Sequence, residues 1–132
     1  MLRDSVLGFF RRLSAGDFDA FDLFAPSFVH HRPLPGASDA SREGARRAMQ
    51  KLREAIPDMQ LEVEHVVVEG EAVGVRVRAS GNATGSIPGA PGLSGPVTRR
   101  VTMLYLFGGE QVVQEWIDDD TTTEWSAAGG VK

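Results

Sequence analysis

The chain has 132 residues, 42% apolar and 24% charged, with a formal net charge of −4, the balance of one folded domain over residues 1–132, with an ordered core over residues 2–127, and too short for two ordinary cores. A mildly acidic chain without a dense Lys/Arg cluster is a poor match for nucleic acid, and no apolar stretch approaches the length of a membrane span. The absence of cysteine excludes disulfides, thiol catalysis and cysteine metal sites; it agrees with a cytoplasmic location, as does a start (Met1-Leu2-Arg3-Asp4) without a basic region and apolar run.

Val6, Phe9, Phe10 and Leu13 recur at helical spacing and predict a first helix, stopped at Gly16. Asp17 can cap a short second helix with Phe18, Phe21 and Phe24 on one face, ended by Pro26. Residues 27–31 read as extended and residues 32–36 as a proline-rich loop. A third helix follows Ser41 as N-cap. Its apolar stripe is Ala45, Ala48, Met49, Leu52, Ala55 and Ile56, with Arg46, Arg47, Gln50, Lys51, Arg53 and Glu54 opposite, and Pro57-Asp58 ends it.

Beyond Pro57 the period becomes two. Leu61, Val63 and Val67 alternate with acids, Glu69-Gly70-Glu71 turns the chain, and Val73, Val75, Val77 and Ala79 alternate with Arg76, Arg78 and Ser80. Residues 86–96, with three prolines and three glycines, read as a loop. A third strand over residues 97–107, a Gly108-Gly109 turn and a fourth strand over residues 111–118 complete an antiparallel meander, before a last helical turn over residues 121–127. Helices gathered on one face of an antiparallel sheet give the α+β class.

Chemical groups concentrate at His30-His31-Arg32 and Asp118-Asp119-Asp120, both at element ends, where pocket mouths form. Neighbouring strand residues face opposite ways, so only one of His30 and His31 enters a given pocket. Asp118 and Asp120 share a face with Gln114 and Trp116 unless a bulge intervenes. A carboxylate beside Trp116 in an apolar pocket would have a raised pKa, as suits a general acid or base. The plainer alternatives are a solvated acidic turn, an Asp120 that caps the final helical turn, and His31 as a hydrogen-bonded loop residue. No histidine spacing supports a metal site, and no glycine-rich segment has the strand-to-helix setting of a phosphate loop.

Several strings resemble the SnoaL-like polyketide cyclase family: Ala15-Gly16-Asp17-Phe18-Asp19-Ala20, Phe24-Ala25-Pro26-Ser27-Phe28-Val29 leading to His31, Arg42-Glu43-Gly44, Ile56-Pro57-Asp58, Gly81-Asn82-Ala83-Thr84-Gly85, Gly95-Pro96-Val97, and Glu115-Trp116 with Asp120. The resemblance spans nearly the whole chain. It implies the nuclear transport factor two-like fold, a cone in which a curved sheet wraps about three N-terminal helices around one apolar pocket. It also implies intramolecular aldol closure of a polyketide ring without metal or cofactor, and a homodimer.

On that resemblance Asp120 and His31 are the catalytic candidates. Trp116, Gln114, Asp118, Phe28 and Tyr105 are the candidate contacts for an apolar small-molecule substrate of the polyketide kind. The chain departs from many relatives in carrying Ala83 and Glu115 where they have histidine. Alternatives on the same scaffold are epoxide hydrolysis, with Arg76 or Arg78 beside Asp118 and Asp120, isomerisation, and ligand binding without turnover.

Overall fold

The computed structural model describes residues 1–31, 39–117 and 125–127. Helix α1 (Leu2–Ser14) buries Val6, Phe9, Phe10 and Leu13, the stripe its spacing predicts. Gly16, at φ 81°, turns the chain out of it. The Asp17 carboxylate then accepts the Asp19 N–H (3.0 Å) and opens a 3₁₀ helix (Phe18–Leu23). Strand β1 (Phe24–His30) already begins before Pro26, so the short helix ends earlier than the proline suggests.

Helix α2 (Arg42–Ala55) starts where Ser41 Oγ accepts the Gly44 N–H (3.1 Å). Its Ala45, Ala48 and Ala55 are buried, with Met49 and Leu52 packed beside them. The small alanine side chains let α2 lie close on the sheet. Arg53 differs from the solvent-facing role its place opposite the apolar stripe suggests. Its guanidinium donates to the carbonyls of Leu13 (2.6 Å), Ser14 (2.9 Å), Pro57 (3.1 Å) and Met59 (3.0 Å). It thereby satisfies the last carbonyls of α1 and ties both helix ends to the first long strand.

The sheet contains β2 (Gln60–Glu69), β3 (Ala72–Ile87), β4 (Ala90–Gly108), β5 (Gln111–Ile117) and the short β6 (Ser126–Ala127). Its order is β1-β5-β4-β3-β2, with β6 on β4, and it curves without closing. Alternation is strict where it matters: Val73, Val75, Val77 and Ala79 of β3 and Met103, Tyr105 and Phe107 of β4 face the helices. The α+β class and the cone-like wrapping are as the sequence predicts.

Three features of the sheet also differ from the sequence reading. The sheet is mixed, because β1 runs parallel to β5. Residues 86–96 belong mostly to the β3–β4 hairpin, whose pairing continues to Ile87↔Ala90. Gly85, Gly92 and Gly95 all have positive φ, and a register shift lies between Thr84 and Ser86. The glycines thus bend two long strands and do not end them. Finally, Ser126 and Ala127 pair with Thr98 and Val97, so this end of the expected helical turn is strand.

Candidate functional site

Between the helices and the sheet lies a cavity of ≈ 70 Å³, walled chiefly by Phe9, Phe10 and Leu13 of α1, Met49 and Leu52 of α2, and valines of β3 and β4. Its polar wall residues are His30, Glu115, Tyr105 and Arg99. His30 and Glu115 are the only buried members of the charged and polar residue classes among the described residues, at 4% and 5% exposure.

Strand register brings three of these groups together. His30 of β1 pairs with Glu115 of β5, and Glu115 pairs with Tyr105 of β4. Side chains paired across neighbouring strands share a face, so imidazole, carboxyl and phenol form one row across the sheet. His30 Nε2 lies 3.5 Å from Glu115 Oε1. The Tyr105 hydroxyl donates to Met103 Sδ (3.3 Å).

Burial dominates the electrostatics. It pushes the Glu115 carboxyl up to about 8, against a smaller opposing pull from the Tyr105 hydroxyl. It lowers His30 to about 4, with a further contribution from the neighbouring His31. It raises the Tyr105 phenol well above its ordinary range, helped by Glu115. The neutral form of each group is therefore favoured near pH 7. A carboxylic acid, an imidazole and a phenol, all uncharged in a largely apolar cavity, can donate and accept hydrogen bonds at a substrate's oxygen atoms.

The residues singled out from the sequence divide. Tyr105 lines the cavity and Phe28 is buried in the adjoining core, its ring tilted by 35° against Phe24 at 4.5 Å. His31, Gln114 and Trp116 lie on the other face of the sheet, outside the cavity wall. There the His31 ring stacks on Trp116 (4.5 Å, 10° between planes), and His31 Nε2 donates to Gln114 Oε1 (2.6 Å). Asp118 and Asp120 lie outside the described residues. Arg76 and Arg78, weighed as partners of the aspartates, also face outward, the first on Thr102 Oγ1 (3.0 Å) and the second on Glu62 (2.5 Å).

The reason for the division is a bulge. Phe107 pairs with Val112 and Leu106 with Gln114, so Val113 is an extra residue in β5. Without it, Val112, Gln114 and Trp116 would share one face. With it, Val112, Glu115 and Ile117 point inward and Gln114 and Trp116 outward. Two signals for the inner row were present in the sequence: the buried-type Phe28 two residues before His30, and Ile117 two residues after Glu115. Among the described residues no three His, Asp or Glu side chains gather as metal ligands. No helix there is long and apolar enough to cross a membrane.

Comparison with known proteins agrees with this architecture. The sequence pattern of the SnoaL-like polyketide cyclases matches residues 4–124. No curated protein sequence matches. Among solved structures, the polyketide cyclase IdmH from Streptomyces antibioticus superposes with a TM-score of 0.75 at 27% identity, covering 93% of this chain and 94% of IdmH. A SnoaL-like polyketide cyclase from Jannaschia sp. CCS1 gives 0.71 at 26% identity, covering 87% and 82%. TsrD from Streptomyces laurentii, at 24% identity and a TM-score of 0.75 over 89% and 90% of the two chains, shares the fold.

Proposed function

The chain belongs to the SnoaL-like polyketide cyclase family, and from that premise we propose that it is a cofactor-free enzyme that closes a ring in an apolar, polyketide-like substrate by intramolecular aldol condensation. The observation that carries the reading is the cavity, apolar along its walls, with Glu115, His30 and Tyr105 in one row. Aldol closure asks for such a place: walls that hold two carbonyl-bearing carbons in contact, and a few polar groups to move protons and steady an oxyanion. The cavity, at ≈ 70 Å³, is smaller than the roughly 300–1,000 Å³ of sites that enclose drug-sized ligands. Binding a polyketide therefore requires its walls to part.

In this proposal Asp120, the position the family resemblance marks, is the acid/base. Its carboxylate takes the proton beside one carbonyl, and the resulting enolate carbon bonds to a second carbonyl carbon. The proton held on Asp120 then goes to the new alkoxide, so the product is a cyclic isomer of the substrate. Tyr105 forms part of the wall. His31, Gln114 and Trp116 are given no role at the reacting atoms.

The test is incubation with linear polyketone esters, with the product read by mass spectrometry and NMR. Ring closure keeps the mass and removes one ketone carbon. Asp120→Asn is expected to fold normally and lose roughly 10²-fold or more in turnover. Wild-type turnover in that variant would remove Asp120 from the mechanism. Saturable binding by the wild-type chain without conversion would leave a ligand-binding protein instead.

We also propose a homodimer through the outer face of β1, β5 and β4. Val29, Leu104 and Trp116 are exposed there by 44%, 42% and 38%, and Leu104 is the register partner of Trp116. Adjacent exposed apolar side chains of this size mark an interaction surface.

A further inference from the structure

We propose that Glu115 is a catalytic carboxylic acid, donating its O–H to the substrate carbonyl oxygen that becomes the enolate oxygen. The proposal rests on the ring-closing reading above and adds the donor that such a reaction needs on the oxygen side.

Placement is the first argument. Glu115 sits on the cavity wall at 5% exposure, held from both sides by strand pairing with His30 and Tyr105. A side chain fixed by two neighbouring strands of a sheet is preorganised, which is what makes an oxyanion donor effective. The second argument concerns what faces it. Phe9 and Phe10 of α1 and Met103 and Ile117 of the sheet contribute no charge. The titratable groups beside it among the described residues are His30 and Tyr105, both favoured neutral by burial. Arg99 lines the same cavity from six residues earlier on β4 than Tyr105. Burial is the dominant influence on the Glu115 carboxyl and keeps the acid protonated. Third, His30 Nε2 is 3.5 Å from Glu115 Oε1, long for a hydrogen bond. The imidazole therefore does not hold the carboxyl proton; the Tyr105 hydroxyl is the hydrogen-bonding group beside the carboxyl, and a ligand oxygen in the cavity would compete with it.

The step balances. As the base takes the α-proton, the C–H electron pair becomes the enolate, and the Glu115 O–H bonds to, or protonates, its oxygen. When the enolate carbon forms the new C–C bond, the carbonyl reforms and the proton returns to Glu115. The acid ends the cycle as it began.

The experiment needs no knowledge of the natural substrate. The protein is labelled with ¹³C at glutamate side-chain carboxyls and titrated from pH 5 to 10. 2-Naphthol, an aromatic ligand with one enol-like oxygen, is then bound to wild type, Glu115→Gln and Glu115→Leu. A carboxyl resonance missing in both variants should titrate near pH 8 and shift when naphthol is added. Glu115→Leu should weaken naphthol binding by about tenfold or more, with Glu115→Gln between, because its amide N–H still donates. A Glu115 resonance that titrates in the ordinary range of glutamate overturns the proposal. So does equal naphthol affinity in wild type and Glu115→Leu, while leaving the apolar ligand cavity intact. Failure of wild type to bind any naphthol would instead overturn the ligand-cavity reading itself, and this proposal with it.

Discussion

Glu115 and His30 take opposite shifts from one cause, since burial disfavours a negative carboxylate and a positive imidazolium alike. Their effects on stability follow from linkage. The Glu115 contribution is fully present below pH 4.5, its ordinary value, and is lost as pH rises through about 8. The His30 contribution is present above 6.5 and is lost as pH falls through about 4. The two oppose one another between 4.5 and 6.5, and above 6.5 Glu115 acts alone. The other shifted carboxyls, Asp17, Asp39, Asp58 and Glu64, are all lowered, so their windows lie in acid. Unfolding free energy by urea titration should therefore fall by about 2 kcal/mol between pH 6.5 and 8. Glu115→Gln should flatten that fall. An equal fall in the variant would assign it to another group.

At the scale of elements, the joints matter more than the helices or strands themselves. Arg53 supplies four hydrogen bonds that no apolar replacement can make, and its loss removes the donor shared by carbonyls at the ends of α1 and α2. Arg53→Met is expected to cost about 3 kcal/mol in urea unfolding, and Arg53→Lys, with a point charge in place of a planar fork, should recover only part. Two glycines give a matched pair. A Cβ on Gly81 would run into Ile56 Cγ2, with Asp58 Oδ1 at 2.9 Å and Met59 Cα at 3.2 Å, because β3 passes tightly under the end of α2. A Cβ on Gly8, within α1, meets nothing. Gly81→Ala should lose about 2 kcal/mol, whereas Gly8→Ala should gain about 1 kcal/mol from helix propensity. Equal effects at the two sites would mean that the close approach at Gly81 relaxes freely.

At the scale of the molecule, the sheet separates two surfaces with different tasks. The inner face holds the cavity, and the outer face exposes Val29, Leu104 and Trp116, where the proposed second copy would pack. Leu104→Glu is expected to convert a dimer into a monomer by light scattering at micromolar concentration and to leave the cavity unchanged. A wild-type monomer under those conditions would refute the dimer. The amino-acid sequence by itself determined the class of the fold: the period of 3.6 in α1 and α2, the period of two in β2 and β3, the Ser41 cap and the turns at Gly70 and Gly109 are local properties, legible from neighbours along the chain. Only the tertiary structure decided that His30 and Glu115 face inward while His31, Gln114 and Trp116 face outward. Alternation along a strand is known only relative to a starting residue, and the extra Val113 resets it where β5 meets β4. The parallel pairing of β1 at the sheet edge, which places His30 beside Glu115, joins residues far apart in the chain, and no pattern within either segment announces its register.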